Sequence, residues 1–63
     1  MNSIQKFIST QQKMLDRSIV ATPTEEVLDM FAQSNHGVND FLLMQMAKNY
    51  GYQLALDHLT EQL

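Results

Sequence analysis

The 63-residue sequence contains no cysteine, which excludes disulfides and thiolate zinc sites. Its two histidines, His36 and His58, stand far apart without neighbouring ligand pairs, so no metal or cofactor set is expected. No apolar run approaches the roughly 18 residues of a membrane span. The opening "MNSIQKFISTQQKMLDR" also lacks the continuous apolar core of a secretory signal and alternates with helical spacing instead. Convergent acid–base or nucleophile pairs are missing too, since the carboxylates fall at helix starts or on outer faces. The expectation is a non-enzymatic, soluble, intracellular chain that forms one helical domain over residues 1–63; cysteine-free composition is compatible with a reducing cytosol.

A chain this short hides only roughly 60% of the surface its unfolded form exposes. With disulfides and metal excluded, regular helix packing or oligomerisation must supply the missing stability. The net charge is −3, but it is unevenly spread. Lys6, Lys13 and Arg17 face Asp16 alone in the first 18 residues, whereas Lys48 is the only base among Glu25, Glu26, Asp29, Asp40, Asp57 and Glu61. That asymmetry suits docking of one half on another, within or between chains, or two solvated faces.

The pattern predicts three helices, at about 3–18, 23–34 and 40–61, with the third longest. Ile4, Phe7, Ile8, Met14, Leu15 and Ile19 follow i, i+3, i+4 spacing, with Gln11 and Ser18 as polar members of the stripe. Asn2 is a candidate cap, with Gln5 three residues on. In "TPTEEVLDMF", Thr22 is placed as the cap of helix 2, Pro23 at its first position and Glu25 in a capping box. Val27, Leu28, Met30 and Phe31 supply its apolar face. "SNHG" ends it, with His36 a turn residue and Gly37 in the left-handed position. Asn39 then caps helix 3.

On a wheel of about 100° per residue, Leu43, Ala47, Tyr50 and Leu54 of helix 3 share an arc of roughly 60° and are expected to receive helices 1 and 2. Tyr52, Leu56, Leu59 and Leu63 line the opposite side with Phe41, so the apolar face changes sides near Gly51. Three accounts fit. A bend at Gly51 returns the leucines to the chain's own core; a straight helix offers Phe41, Tyr52, Leu56, Leu59 and Leu63 to a second copy or a partner; or the last turn frays.

Helix-turn-helix DNA binding is disfavoured, because Asn39, Asp40, Phe41, Leu42 and Leu43 would bring an acid and bulky apolar groups to a phosphate-lined groove. Lys6, Lys13 and Arg17 form a better nucleic-acid candidate, since they share a narrow arc opposite the apolar stripe of helix 1; a solvated outer face is the plainer reading of the same three residues. Tyr50 and Tyr52 pack or rim an interface. Among the methionines, Met14, Met30, Met44 and Met46 are core fillers first, with Met44 and Met46 also candidates for a partner surface.

The beginning "MNSIQKFISTQQKMLDRS", the length of 63 residues and the cysteine-free helical pattern resemble the small open-reading-frame proteins of the exo–xis region of lambda-like bacteriophages. The resemblance covers the whole chain but rests on no diagnostic motif. It implies an early lytic protein in the host bacterial cytoplasm, influencing host cell-cycle timing and the choice between lysis and lysogeny, and it brings no catalytic residues. The combined expectation is an all-α, three-helix chain forming a homodimeric bundle, with the third helices providing most of the interface, and acting by binding a host or phage regulatory protein. The alternatives are a nucleic-acid-binding regulator using the basic face, and an antitoxin or anti-factor that folds on its target.

Overall fold

The computed structural model describes residues 3–34 and 40–63, and every regular element in that part is helical: α1 (Ser3–Asp16), α2 (Glu25–Ser34) and α3 (Asp40–Glu61). The expected caps Asn2 and Asn39 and the turn residues His36 and Gly37 lie outside the described residues. At about 1.5 Å per residue the three helices are about 21, 15 and 33 Å long. The first two laid end to end therefore match the third. That is how they pack: α1 and α2 each lie against α3, and among the described residues they do not touch one another.

Helix 1 stops two residues before its expected end. The Arg17 amide donates to the Lys13 carbonyl (3.2 Å), and the Ser18 amide then turns to the Leu15 carbonyl (3.1 Å), tightening the last turn. Ile19, expected on the buried stripe of helix 1, consequently falls in the connector and is fully exposed. The start of helix 2 is also shifted. Thr24, not Thr22, is the cap: its Oγ1 accepts the Val27 amide (3.2 Å) and its carbonyl accepts the Leu28 amide (3.0 Å). Pro23 precedes that cap and so lies outside the helix. Glu25, Glu26 and Asp29 still place negative charge near its positive end.

Helix 3 runs unbroken through Gly51. Its last turn is closed rather than frayed: the Gln62 and Leu63 amides donate to the Leu59 and Thr60 carbonyls, and Thr60 Oγ1 donates to the Leu56 carbonyl (2.8 Å). Its inner row is Leu42, Met46, Asn49, Gln53, Leu56 and Thr60, alternating steps of four and three. Of the four residues that the wheel places on the inner arc, Leu43 and Tyr50 are half-buried on its flank, and Ala47 and Leu54 are exposed. The wheel is misleading because it excludes polar residues from the core. Here Asn49 and Gln53 occupy inner positions, and the true row passes through them.

The molecule is a slab of 46 × 20 × 11 Å between Cα atoms. Two stacked helical layers would need about 13–15 Å between Cα atoms, from a cylinder radius of about 2.3 Å and an axis spacing of about 8–10 Å. One layer is present, where domains normally have two. The radius of gyration, 13.6 Å, exceeds the roughly 10.6 Å of a compact chain of this length. The accessible surface, 5079 Å² for 7.2 kDa, likewise exceeds by about 950 Å² the roughly 4,100 Å² of a compact monomer of that mass.

Candidate interaction surface

The seam between α1 and α3 is held by a polar ladder between small apolar ends. Leu15, Met46 and Leu56 are the buried apolar side chains among the described residues, and Asn49 is buried with them. Between Leu15 and Leu56, Gln12 Nε2 donates to Gln53 Oε1 and Gln53 Nε2 donates back to Gln12 Oε1, both at 2.8 Å. Each amide spends its second N–H on the acid one turn further along its own helix, Gln12 on Asp16 Oδ1 (2.9 Å) and Gln53 on Asp57 Oδ1 (3.0 Å). Higher up, Asn49 Nδ2 donates to the Val20 carbonyl at 2.7 Å and reaches Ser18 Oγ at 3.4 Å. No buried side-chain donor or acceptor is left without a partner among the described residues. These pairs fix α1 antiparallel to α3 and set its register, because a one-residue slip would break both amide bonds together.

Apolar bulk is concentrated outside this seam. Ile4, Phe7 and Met14 are exposed on α1, as are Met30 on α2 and Phe41, Met44, Tyr52, Leu54 and Leu59 on α3. Helix 1 explains the pattern. Its broad stripe contains two interleaved rows, and only Ile8 and Leu15 turn toward α3 while Ile4, Phe7 and Met14 stay on the flank. The double row is the signal in the sequence that a second surface exists.

The five residues expected to form one outer interface do not share a place. Leu56 is 2% exposed and belongs to the α1–α3 seam, so it does not offer itself to a partner. Leu63 sits past the end of α3, lining a shallow depression with Gln5, Ile8, Ser9, Lys13 and Thr60. Tyr52 and Leu59 remain on an exposed flank, where the Tyr52 hydroxyl donates to Gln11 Oε1 across the seam. Phe41 stays exposed near the start of α3. Met46 is core and Met44 is surface, which separates the two methionines considered for a partner contact.

Lys6, Lys13 and Arg17 are all exposed, but they do not form one helical face turned from α3: Arg17 lies in the turn after α1, and Lys13 borders the depression that Thr60 and Leu63 line. Among the described residues no cluster of three or more histidine or acidic side chains is placed to hold a metal ion. None of their helices is long and apolar enough to cross a membrane. The chain matches no protein-family model, no curated protein and no solved structure.

Proposed function

We propose that this chain is a non-enzymatic regulatory protein that works by occupying surfaces of other proteins. In keeping with its resemblance to exo–xis proteins, it is an early phage product acting as a homodimer in the host bacterial cytoplasm on cell-cycle timing and the lytic or lysogenic outcome. The observation that carries this reading is the exposed apolar side-chain surface on the half of α3 that packs with α2. Phe41 and Met44 are 65% and 66% exposed, and Met30 is exposed on the neighbouring helix. Large apolar side chains held at the surface are candidate contact points for a partner, and methionine adapts to varied partners. Between residues 18 and 47 the chain has Glu25, Glu26, Asp29 and Asp40 and no lysine or arginine. The matching partner is a protein with an apolar groove rimmed by basic side chains.

The test is induced expression in the bacterial host, comparing the parent with a Phe41→Asp, Met44→Asp double variant whose helical circular dichroism is unchanged. The parent is expected to shift division and lysis timing, and the variant to lose that shift. Equal effects from both would overturn the reading.

A second reading uses the exposed side chains of Lys6, Lys13 and Arg17 to bind nucleic acid, with two copies doubling the charge. Phosphate binding weakens steeply as salt rises. A gel-shift titration with mixed RNA and DNA at low salt that shows no shift removes it.

A further inference from the structure

The flanks of α1 and α3 at the other end of the molecule form a single face. Relative to the inward row, Ile4, Phe7, Gln11 and Met14 lie roughly 40–120° around α1, and Tyr52 and Leu59 roughly 80–100° around α3. The Tyr52–Gln11 hydrogen bond joins these flanks on one side of the slab. Asp16 and Asp57, bonded to the Gln12–Gln53 pair, come off the other side. In an antiparallel pair Phe7 and Leu59 then stand at one level and Met14 and Tyr52 at another. None of the six residues carries a charge. Phe7 and Met14 are 53% and 62% exposed.

We infer that this face is covered by the same face of a second copy related by a two-fold axis, so that two α1–α3 pairs close into a two-layer, four-helix core. The inference deepens the interaction reading above, on which it rests, by assigning this surface to self-association and leaving the Phe41–Met44 end to the partner. Three observations select a second copy as the occupant. The missing element is a whole layer, and a layer needed by every molecule is supplied most simply by another copy. The whole chain carries about 950 Å² beyond the surface of a compact monomer, enough to include the roughly 800 Å² that each member of a standard interface contributes. The six residues are uncharged and the nearest charge on this flank, Lys48, stands a turn before Tyr52 at its rim, so the face meets itself with little like-charge repulsion, as suits a two-fold contact.

Sedimentation equilibrium on the full chain is the test, with Phe7→Glu, Leu59→Glu as the face variant and Leu54→Asp as a control on the opposite flank. The parent is expected at twice 7.2 kDa, the face variant at half the parent mass and the control unchanged. Because the face variant can fail to fold alone, the parent is also examined by intermolecular NOEs in a half-labelled sample, expected at the Ile4 and Leu59 methyls. A parent that stays monomeric at millimolar concentration, a dimer that survives the face variant, or intermolecular NOEs at the Leu54 methyls instead each overturn the inference. A monomeric parent that still shifts lysis timing through Phe41 and Met44 would overturn the dimer and leave the partner reading intact.

Discussion

The two ends of α3 are held in different ways. Against α1, helix 3 buries Leu56, closes the reciprocal Gln12–Gln53 pair and satisfies Asn49 from the connector. Against α2 it has little of this: none of the described side chains of α2 is buried, and the helix starts on a single threonine cap. The α1 end has side-chain bonds that specify one register, and the α2 end has an acidic, methionine-containing surface. One end therefore defines the fold, while the other is suited to recognition, where less internal packing leaves more apolar area for a partner.

The largest way to break this contrast is Leu56→Ala. A leucine that is 2% exposed loses its transfer energy and leaves a cavity, a cost of about 3 kcal/mol. In a chain with three buried apolar side chains among its described residues that is a third or more of the roughly 3–9 kcal/mol expected for this length. Thermal circular dichroism should show helix loss at room temperature, in α1 and α3 together. An unchanged melt would mean that Leu56 is not part of the seam.

Gln53→Leu is next. It leaves the Gln12 amide facing an apolar group, at about 1–2 kcal/mol for an unsatisfied, half-buried polar group. Adding Gln12→Leu removes both partners and should recover most of the loss. A double-mutant cycle by chemical denaturation reads the coupling directly. Strictly additive losses would show that the ladder contributes nothing as a pair.

These two substitutions also mark what was legible in the sequence. The all-helical class, the three helices and the long third helix follow from periodicity and punctuation, and so does the exposure of Phe41, Tyr52 and Leu59. The side of α3 that faces inward does not follow from periodicity, because a wheel ranks positions by hydrophobicity while this seam passes through Asn49 and Gln53. Their partners, Gln12 and the Val20 carbonyl, are 41 and 29 residues away. No local pattern announces such a pairing. The wheel of a straight helix accordingly turns Leu56 outward, because its companions along the seam are polar. The caps were displaced for a related reason: Thr22 and Thr24 both precede the helix with an acid three or two residues on, and only the Val27–Thr24 bond distinguishes them.

Thr24→Ala addresses the weaker end alone. Removing the cap should cost about 1 kcal/mol, confined to α2. Hydrogen exchange is expected to quicken at the first α2 amides, with α1 and the second half of α3 unaffected. Faster exchange throughout would show that the two ends unfold as one unit and that the contrast between them is only one of packing.

The smallest effect is expected at Gly51→Ala, and its sign is the informative part. Gly51 lies inside α3 with nothing within 4 Å of an added Cβ, so alanine fits. In a helix interior alanine is favoured over glycine by about 0.8–1 kcal/mol. The isolated slab therefore gains stability from the change, and chemical denaturation should read an increase of that size. The gain should persist in the dimer, because Gly51 lies on the side of α3 away from α1, whereas the proposed dimer face carries Tyr52 and Leu59 on the flank. A loss instead would mean that another chain approaches the outer side of α3 closely enough to exclude a methyl group. The second layer would then be stacked on the Ala47, Gly51 and Ala55 side and not on the flank that carries Phe7 and Leu59.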